Sequence, residues 1–324
     1  SSLRTMKAIK NKEKIGVFGD YDVDGATSTA LLGKYFDELK LTYEIYIPDR
    51  KKVKIIFTVD CGTLSFEAIN YAKSKNIDVI VLDHHQSEIN LPKAHSIVNP
   101  NRLDDKSDLQ YLCAAGVSFM FLVSLNRELR LEDWFKKNFI EEPNLINYLD
   151  LVSLGTVCDV VPLVGLNRAI VKQGLKILKA KKNLGLKTLF DICKIEASPS
   201  IYHLGYILGP RINAGGRVGK SSHGSNLLLN SNPKEVFKLA HELDQYNKER
   251  QMLEKDLIKK ILIESESKLK DPVLILQGSN WHEGIIGIVA ARLKDKFNKP
   301  AIIISINGNV GKASARSIVG FDIG

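Results

Sequence analysis

Short apolar runs alternate with helical patterns through the first half of the chain, and this alternation constrains the fold more than any other feature. Residues 15–18 (IGVF) and 78–82 (DVIVL) have the length and composition of buried strands. Residues 26–39 carry apolar side chains at the three- and four-residue spacing of one helix face. Strand–helix–strand alternation is typical of a parallel sheet covered by helices. The sequence therefore predicts an α/β fold with a doubly wound parallel sheet.

One junction does not fit this pattern. Further strands are predicted at residues 43–47 and 53–59, with a helix at 64–74, but only residues 48–52 separate the two strands. A connection between parallel neighbours needs about a dozen residues or more. Either the two strands are antiparallel neighbours, or a segment of the natural chain is missing from this sequence. The second interpretation is favoured.

The second half contains a long predicted helix over residues 233–268. Asn232 can cap its first turn, Pro233 suits the first helical position, and Glu235 completes a capping box. At about 1.5 Å per residue the helix would extend about 50 Å, enough to connect two domains. Beyond it, a smaller α/β unit is predicted from a strand, a helix and a second strand, at residues 272–276, 285–297 and 301–306.

These patterns divide the chain into three predicted parts. A large α/β domain is expected over residues 1–230, the connecting helix over 231–269, and the smaller α/β domain over 270–324. A long helix between two α/β units also predicts a cleft between them, which the smaller domain would close.

The overall charge and the cysteine pattern narrow the possible partners and location. The chain has 46 Lys and Arg against 37 Asp and Glu, a net charge of +9, which favours a polyanionic partner such as nucleic acid. A basic composition without any acidic partner is the alternative. The four cysteines are far apart and form no CxxC pair, which argues against a zinc site or a disulfide framework. The apolar stretches are only strand-sized, so we expect a cytoplasmic protein without membrane contact.

The segment directly after the first strand, residues 19–25 (GDYDVDG), is the richest in possible chemistry. Asp20, Asp22 and Asp24 would lie on one face if the segment remains extended. Three like charges at the carboxyl edge of a sheet repel one another unless a cation neutralises them. An EF-hand loop is excluded because no Glu follows at the twelfth position, whereas a solvated acidic turn remains the alternative.

Two more predicted strands end in acidic residues. Asp60 follows the strand at 53–59, and Asp83, His84 and His85 follow the strand at 78–82. Carboxylate and imidazole together suit Mn²⁺ or Mg²⁺. Asp159 follows a later apolar run and, considered alone, indicates a helix end or turn. These segments offer more ligands than one ion needs, which fits a pair of ions about 3.5–4 Å apart that act on a phosphate.

The same motifs resemble those of the DHH phosphoesterase superfamily, in which DYDxDG, VDCG, DHH and DVVPL occur in this order. A fuller resemblance is to the RecJ exonuclease family within it. Residues 209–217 (GPRINAGGR), 281–290 (WHEGIIGIVA) and 314–317 (SARS) are similar to motifs of that family. The similarity extends over nearly all of the chain. It implies a DHH domain followed by a substrate-binding domain of the DHHA1 type.

The resemblance implies two Mn²⁺ or Mg²⁺ ions that share Asp60. Asp22 and Asp60 would hold one ion, with Asp20 in a position that adds to it. The other ion would be held by Asp24, Asp60, His84 and Asp159.

The resemblance also implies roles for the neighbours of these ligands. His85 would contact the scissile phosphate, and Asp83 would orient its neighbours. The catalytic residues would then be Asp22, Asp24, Asp60, His84, His85 and Asp159.

A second group of residues is implied to contact DNA. Arg211 and Arg217 would contact phosphate, with a salt bridge at a domain boundary as the alternative. Trp281 and His282 could line the DNA groove, although a Trp packed in the core is equally compatible with the sequence. Positions that recognise a phosphorylated 5′ end in the family correspond to Arg50, Ser314 and Arg316. The full set of candidate phosphate- and DNA-binding residues is Arg50, Arg211, Asn213, Arg217, Trp281, His282, Ser314, Arg316 and Ser317.

The sequence departs from the family pattern at two places. The family has a longer segment with a Gly-Tyr-Gly between the position of Arg50 and VDCG. The present sequence also ends before a GGHxxAAG motif and a C-terminal OB-fold, so its last domain is expected to be truncated.

The function implied is a Mn²⁺- or Mg²⁺-dependent 5′→3′ exonuclease. It would degrade single-stranded DNA to 5′-mononucleotides in DNA repair and recombination, with single-strand-binding protein and helicases as candidate partners. The alternatives are a DHH enzyme acting on small phosphates and a catalytically inactive DNA-binding or scaffold protein.

Overall fold

The computed structural model describes residues 1–45, 53–265, 268 and 270–323. Its first part contains a five-stranded sheet in the order β2-β1-β3-β4-β5, and every neighbouring pair is parallel. The α/β prediction is therefore confirmed. The strands are β1 (Ile15–Gly19), β2 (Tyr43–Ile45), β3 (Ile55–Val59), β4 (Asp78–Leu82) and β5 (Ser96–Val98).

Helices cover both faces of this sheet because successive side chains of each strand point to opposite sides. In β4, Val79 and Val81 pack with Ile69, whereas Ile80 and Leu82 belong to the main core. The helices of this part are α1 (Ser2–Lys10), α2 (Val23–Glu38), α3 (Phe66–Ser74), α4 (Ala114–Leu131), α5 (Trp134–Asn138), α6 (Leu149–Cys158), α7 (Gly165–Lys179), α8 (Leu184–Ile192), α9 (Gly209–Val218) and α10 (His223–Leu229); a 3₁₀ turn (Leu145–Tyr148) precedes α6 and a π-helix (His203–Leu208) precedes α9.

The junction between β2 and β3 is resolved in part. Both strands pair in parallel with β1 and lie on opposite sides of it, so they are not neighbours. The antiparallel interpretation is therefore wrong. The predicted missing segment falls at residues 46–52, which lie outside the described residues, as does the end of the strand predicted at 43–47.

Helix α2 begins at Val23, earlier than predicted, and the acidic segment is therefore not extended throughout. The Asp22 carboxylate accepts a hydrogen bond from the backbone N–H of Gly25 at 3.0 Å and caps the helix. The side-chain oxygen of Asn213 accepts one from the N–H of Val23, also at 3.0 Å. Both satisfy N–H groups that have no partner within the helix. Asp24 consequently lies in the first helical turn rather than on a strand.

The long helix α11 extends over Pro233–Ser265, and Asn232 caps it as predicted. The predicted capping box is wrong, because the backbone N–H of Asn232 donates to Asn230 Oδ1 rather than to the Glu235 side chain. The Asn232 side chain accepts hydrogen bonds from the N–H groups of Lys234 and Glu235. Beyond it, a mixed three-stranded sheet packs against α12, and the edge strand β8 is antiparallel to β7. These elements are β6 (Leu274–Ser279), α12 (Glu283–Phe297), β7 (Ala301–Asn307) and β8 (Val310–Arg316).

Strand β8 was not predicted from the sequence. Its residues (VGKASAR) are mostly exposed and lack the apolar alternation of a half-buried strand. Gly308 supplies the positive φ of 58° in the turn between β7 and β8.

The described residues form two compact units, Ser1–Asn213 with Ser222–His241, and Ala214–Ser221 with Glu242–Gly324. We refer to them as unit 1 and unit 2. The domain boundaries predicted at residues 230 and 269 remain predictions. Within the described part of the chain, no helix has the length and apolar character that crossing a membrane requires.

Candidate metal centre

The carboxyl ends of β1, β3 and β4 lie side by side in unit 1. Asp20, Asp60 and Asp83 directly follow these strands, so one edge of the sheet receives an acidic residue from each of them. This edge is where α/β sheets place their ligands.

Three groups of ligand atoms meet here, and one of them, Asp60 with His84 and His85, overlaps the other two. The other two groups carry the remaining carboxylates. Asp20, Asp22 and Asp60 form one, and Asp24, His84 and Asp159 form the other; the atoms of each group lie within 4.8 Å of one another. The Nε2 atom of His84 lies 3.2 Å from Asp60 Oδ1, and it lies 3.8 Å from Asp24 Oδ2 and 3.7 Å from Asp159 Oδ2. Asp60 therefore belongs to the group with Asp20 and Asp22 and is also in contact with His84 of the other group.

Asp24 is held in place by a helix that the sequence did not connect with it. Its buried carboxylate accepts hydrogen bonds from the backbone N–H groups of Ala114, at 2.5 Å, and Ala115, at 2.9 Å, in the first turn of α4. The positive end of a helix stabilises such a carboxylate.

Gly155 is a further contributor that sequence reasoning missed. A Cβ atom at this position would lie 2.7 Å from Asp24 Oδ1 and 2.6 Å from Thr27 Oγ1. Only glycine therefore allows α6 to approach α2 so closely and to bring Asp159, at its C-terminal end, into the cluster. A glycine inside an otherwise apolar helix was the available signal.

The backbone is strained at two points of the centre. Asp60 has φ of 59°, and Val160, the residue after Asp159, has φ of 60°. A β-branched residue rarely adopts this left-handed conformation. Strain of this kind persists where surrounding structure imposes it, and it is concentrated at functional sites.

The acidic side chains carry unfavourable charge. Burial raises the pKa of both Asp60 and Asp24, and neighbouring carboxylates raise each pKa further. Burial, followed by repulsion from Asp22, raises the pKa of Asp159 to about 6, and burial also raises the pKa of Asp20. The buried Oδ2 atom of Asp159 has no hydrogen-bond partner. A divalent cation would remove this repulsion and supply the missing partner.

Asp83 differs from the other carboxylates. Its burial favours the neutral form, but hydrogen bonds from His85 and Thr63 outweigh that effect and lower its pKa. Oδ1 accepts from the N–H groups of His84 and His85, and the Nδ1 atom of His85 lies 2.7 Å from it. The bond to Asp83 in turn raises the pKa of His85. Asp83 therefore holds the backbone of both histidines and orients the His85 ring through Nδ1, with Nε2 on the opposite side of that ring.

The candidate DNA-binding residues of unit 1 have structural contacts as well. Asn213 receives the N–H of Val23, and Arg211 donates from Nη1 to the carbonyl of Ile207 at 2.8 Å. Arg50 lies outside the described residues.

In unit 2, Ser314 and Arg316 occupy one face of β8, and Arg316 Nη1 lies 3.4 Å from Ser314 Oγ. Gly287 of α12 faces them: a Cβ there would lie 3.0 Å from Ser314 Oγ and 3.3 Å from Arg316 Nη2. The Ser317 hydroxyl donates to the carbonyl of Phe321.

The other candidates of unit 2 lie at the start of α12 or, in the case of Arg217 of α9, contact it. Arg217 donates from Nη1 to the carbonyl of Gly284 at 3.2 Å. His282 is the N-cap, with Nδ1 accepting from the N–H of Gly284. Trp281 is partly buried against the core of unit 2, and it also lines a cavity of about 630 Å³ together with His282.

Comparison with known protein families identifies both parts of the chain. Residues 14–156 match the DHH family, N-terminal domain, and residues 270–324 match the DHHA1 domain. Neither match covers residues 157–269, which lie between the two matched regions.

Curated relatives align along almost the whole chain. The single-stranded-DNA-specific exonuclease RecJ of Salmonella typhimurium is 38% identical over 97% of this chain and 59% of its own length. The protein of the same name from Bacillus subtilis is 34% identical over 99% of this chain and 42% of its own length. The chain thus spans about half of the relatives it matches.

Solved structures agree with the sequence comparison. RecJ from Thermus thermophilus in complex with Mn²⁺ has a TM-score of 0.84 and 29% identity, covering 98% of this chain and 47% of that one. The Mg²⁺ complex of that protein has a TM-score of 0.75. With the carboxylate and histidine cluster and the two domain matches, these similarities show that the chain belongs to the RecJ family of the DHH/DHHA1 superfamily.

Proposed function

We propose that this chain is the catalytic part of a metal-dependent exonuclease that degrades single-stranded DNA from its 5′ end to 5′-mononucleotides. The observation that carries the proposal is the placement of Asp60 between two groups of ligands, one with Asp20 and Asp22 and the other with Asp24, His84 and Asp159. Shared carboxylates of this kind hold paired divalent ions.

Two Mn²⁺ or Mg²⁺ ions fit the residues present. The donors are carboxylate oxygens and one imidazole, which suit these ions. When bound, a pair of such ions lowers the pKa of a coordinated water and stabilises the charge that develops on the phosphate. Solved RecJ relatives contain Mn²⁺ or Mg²⁺, which supports the same choice here.

The protein residues then have distinct roles. Asp83 holds His85 through Nδ1, so that Nε2 can donate to a phosphate oxygen of the scissile bond. The raised pKa of His85 favours the protonated form that makes this contact. Asp24, fixed by the N-terminus of α4, holds its ligand oxygens in place without rearrangement.

Recognition of the 5′ end is proposed for unit 2. Arg316 offers a planar set of donors and Ser314 a hydroxyl, side by side on β8. Arg50 would add a second guanidinium, as the family resemblance implies. A terminal phosphate carries more charge than an internal one and therefore gains more from these donors.

The remaining DNA contacts and the cellular role rest on family membership. Arg211, Asn213, Arg217, Trp281 and His282 are proposed to line the path of the strand, and Ser317 to support the 5′ pocket. Relatives are named for their specificity for single-stranded DNA. Action in DNA repair and recombination in the cytoplasm, together with single-strand-binding protein and helicases, is proposed on the same basis.

The proposal is tested with oligonucleotides labelled at one end. We expect degradation of 5′-phosphorylated single strands to mononucleotides from the 5′ end, dependent on Mn²⁺ or Mg²⁺, and little degradation of blunt duplex. Digestion from the 3′ end would contradict the proposed polarity.

The two alternatives predict different results in the same assay. An enzyme for small phosphates would hydrolyse a dinucleotide much faster than a long oligonucleotide. A scaffold protein would bind the oligonucleotide and release no nucleotides under any metal condition.

A further inference from the structure

Two tyrosines of unit 1 stack on each other at the surface. The ring centroids of Tyr202 and Tyr206 are 5.4 Å apart, with an angle of 24° between the ring planes. Their residues are 61% and 74% exposed. Contiguous exposed apolar surface is a feature of binding sites.

The backbone that carries them is also unusual. Tyr202 precedes the π-helix His203–Leu208, and Tyr206 lies within it. Leu204 and Leu208 of the same segment are fully buried. The helix is thus anchored by its leucines, while the tyrosines, four residues apart, share the outward face. π-Helical turns are rare and occur frequently at functional sites.

This helix packs against the end of α6 that leads into the metal centre. The Cys158 thiol lies 3.4 Å from the carbonyl oxygen of Leu204, and a Cβ at Gly205 would contact Val157 at 3.4 Å. Cys158 directly precedes Asp159. The tyrosine pair is therefore carried by a segment in contact with the chain next to a candidate metal ligand.

A basic side chain accompanies the pair. Arg211, in the first turn of α9, bonds to the carbonyl of Ile207 in the same π-helix. The same short segment thus carries two aromatic rings and contacts a guanidinium, the two kinds of group that bind single-stranded nucleic acid, by base stacking and by phosphate attraction.

We propose that Tyr202 and Tyr206 form a stacking platform for bases of the single strand that leads to the metal centre. The inference rests on the proposed function and adds the residues that bind bases within unit 1. A stacked pair holds each ring in position and leaves an outer ring face for a base. Stacking of this kind accepts any base, so the platform would bind strands irrespective of sequence.

The test compares the Tyr202→Ala/Tyr206→Ala double variant with Tyr202→Phe/Tyr206→Phe, which keeps both rings. Phe237→Ala is the matched control because Phe237 is another exposed helical aromatic of unit 1, paired with His241. Binding of a fluorescent dT15 strand is measured by anisotropy in Ca²⁺, and KM and kcat are measured in Mn²⁺. We expect the double Ala variant to bind about tenfold or more weakly, with KM raised and kcat within about twofold. The Phe variant and the control should match the parent protein.

A second measurement shows whether the rings contact bases. Abasic sites are placed one at a time along the first ten nucleotides of the strand. In the parent protein, at least one position should weaken binding about as much as the loss of the rings, and in the double Ala variant that penalty should disappear.

The outcomes separate this inference from the proposed function. If the parent protein neither binds nor cuts single strands, the proposed function fails. If it does both and the double Ala variant is unchanged, the platform is wrong. A folded double Ala variant that binds weakly yet keeps the abasic penalty would show that the tyrosines do not stack on bases, and it would also overturn the platform.

Discussion

Both units of the molecule contain a strand–helix–strand arrangement, but the candidate site residues on their strands carry opposite charges. In unit 1, strands β1, β3 and β4 lead to carboxylates. In unit 2, the candidate site on β8 presents a hydroxyl and a guanidinium, Ser314 and Arg316. The two units thus present side chains of different charge: carboxylates in unit 1, and a guanidinium with a hydroxyl in unit 2.

The difference extends to how the charges are balanced. Unit 2 pairs several of its charges internally: Lys312 with Glu283, and Glu254 with both Arg250 and Arg292. In unit 1, burial raises the pKa of Asp24 and Asp60, and acidic neighbours raise it further. The described ion pairs of unit 2 thus join opposite charges, whereas the carboxylates at the sheet edge of unit 1 face one another.

The largest effect is expected from Asp60→Asn. The substitution keeps a side chain that tolerates the positive φ but removes the charge shared by both ligand groups. We expect cleavage to fall by at least about a hundredfold, about 2.7 kcal/mol of transition-state stabilisation. Asp108→Asn is the control, because Asp108 has a similar φ of 55° and is exposed outside the cluster. Retention of more than about a tenth of the rate, a loss under about 1.4 kcal/mol, would contradict the shared role.

The next effect concerns metal and the stability of unit 1. Mn²⁺ at about a hundred times its Kd should stabilise the fold by about 2.7 kcal/mol, and EDTA should reverse this. Mn²⁺ and EDTA should shift the melting temperature of the Arg316→Ala variant by the same amount, since Arg316 is in unit 2 and the candidate metal ligands are in unit 1. An unchanged melting curve would show that these carboxylates do not share ions.

The pH dependence of this effect has a definite sign. The pKa of Asp159 is raised to about 6, above its unfolded value of about 3.9, so the folded protein holds more protons between these values. Without metal, stability should therefore be lost as pH rises from about 4 to 6. The stabilisation by Mn²⁺ should grow over the same range, as measured by thermal melts at a series of pH values.

Arg316→Ala tests unit 2. Charge-assisted contacts contribute about 1.5–3 kcal/mol, so degradation from 5′-phosphorylated ends should slow by roughly ten- to hundredfold. The loss should shrink on 5′-hydroxyl ends, where the partner charge is absent. Lys312→Ala is the control, since Lys312 shares the strand and is already paired with Glu283. Equal losses on both ends would indicate a general backbone contact instead.

The smallest effect is expected from Gly155→Ala. The added methyl group would press on Thr27 and Asp24, and overpacking of this kind destabilises by about 1–3 kcal/mol. Because the added methyl group would displace Asp24, a candidate metal ligand, the rate of cleavage should fall further than the loss of stability alone explains. Gly205→Ala is the comparison, since its methyl group would meet only Val157 at an ordinary distance. Equal activity in the two variants at matched stability would show that Gly155 acts only in packing.

Much of the fold followed from local patterns. Strands β1, β3 and β4, helix α11 and the core of unit 2 have periodic apolar residues and clear capping signals. Strand β8 was missed because an exposed edge strand needs no apolar alternation, and the start of α2 was misplaced because the Asp22 cap resembled part of an extended acidic run.

The sequence by itself determined which residue types stand at the strand ends, because an apolar strand of fixed length places Asp60 and Asp83 at the sheet edge whatever surrounds it. Only the tertiary structure decided which carboxylates meet. Asp24 and Asp159 belong to helices, and their positions depend on the N-terminus of α4 and on the close approach that Gly155 allows. These are contacts between residues distant in the chain, and no local spacing encodes them.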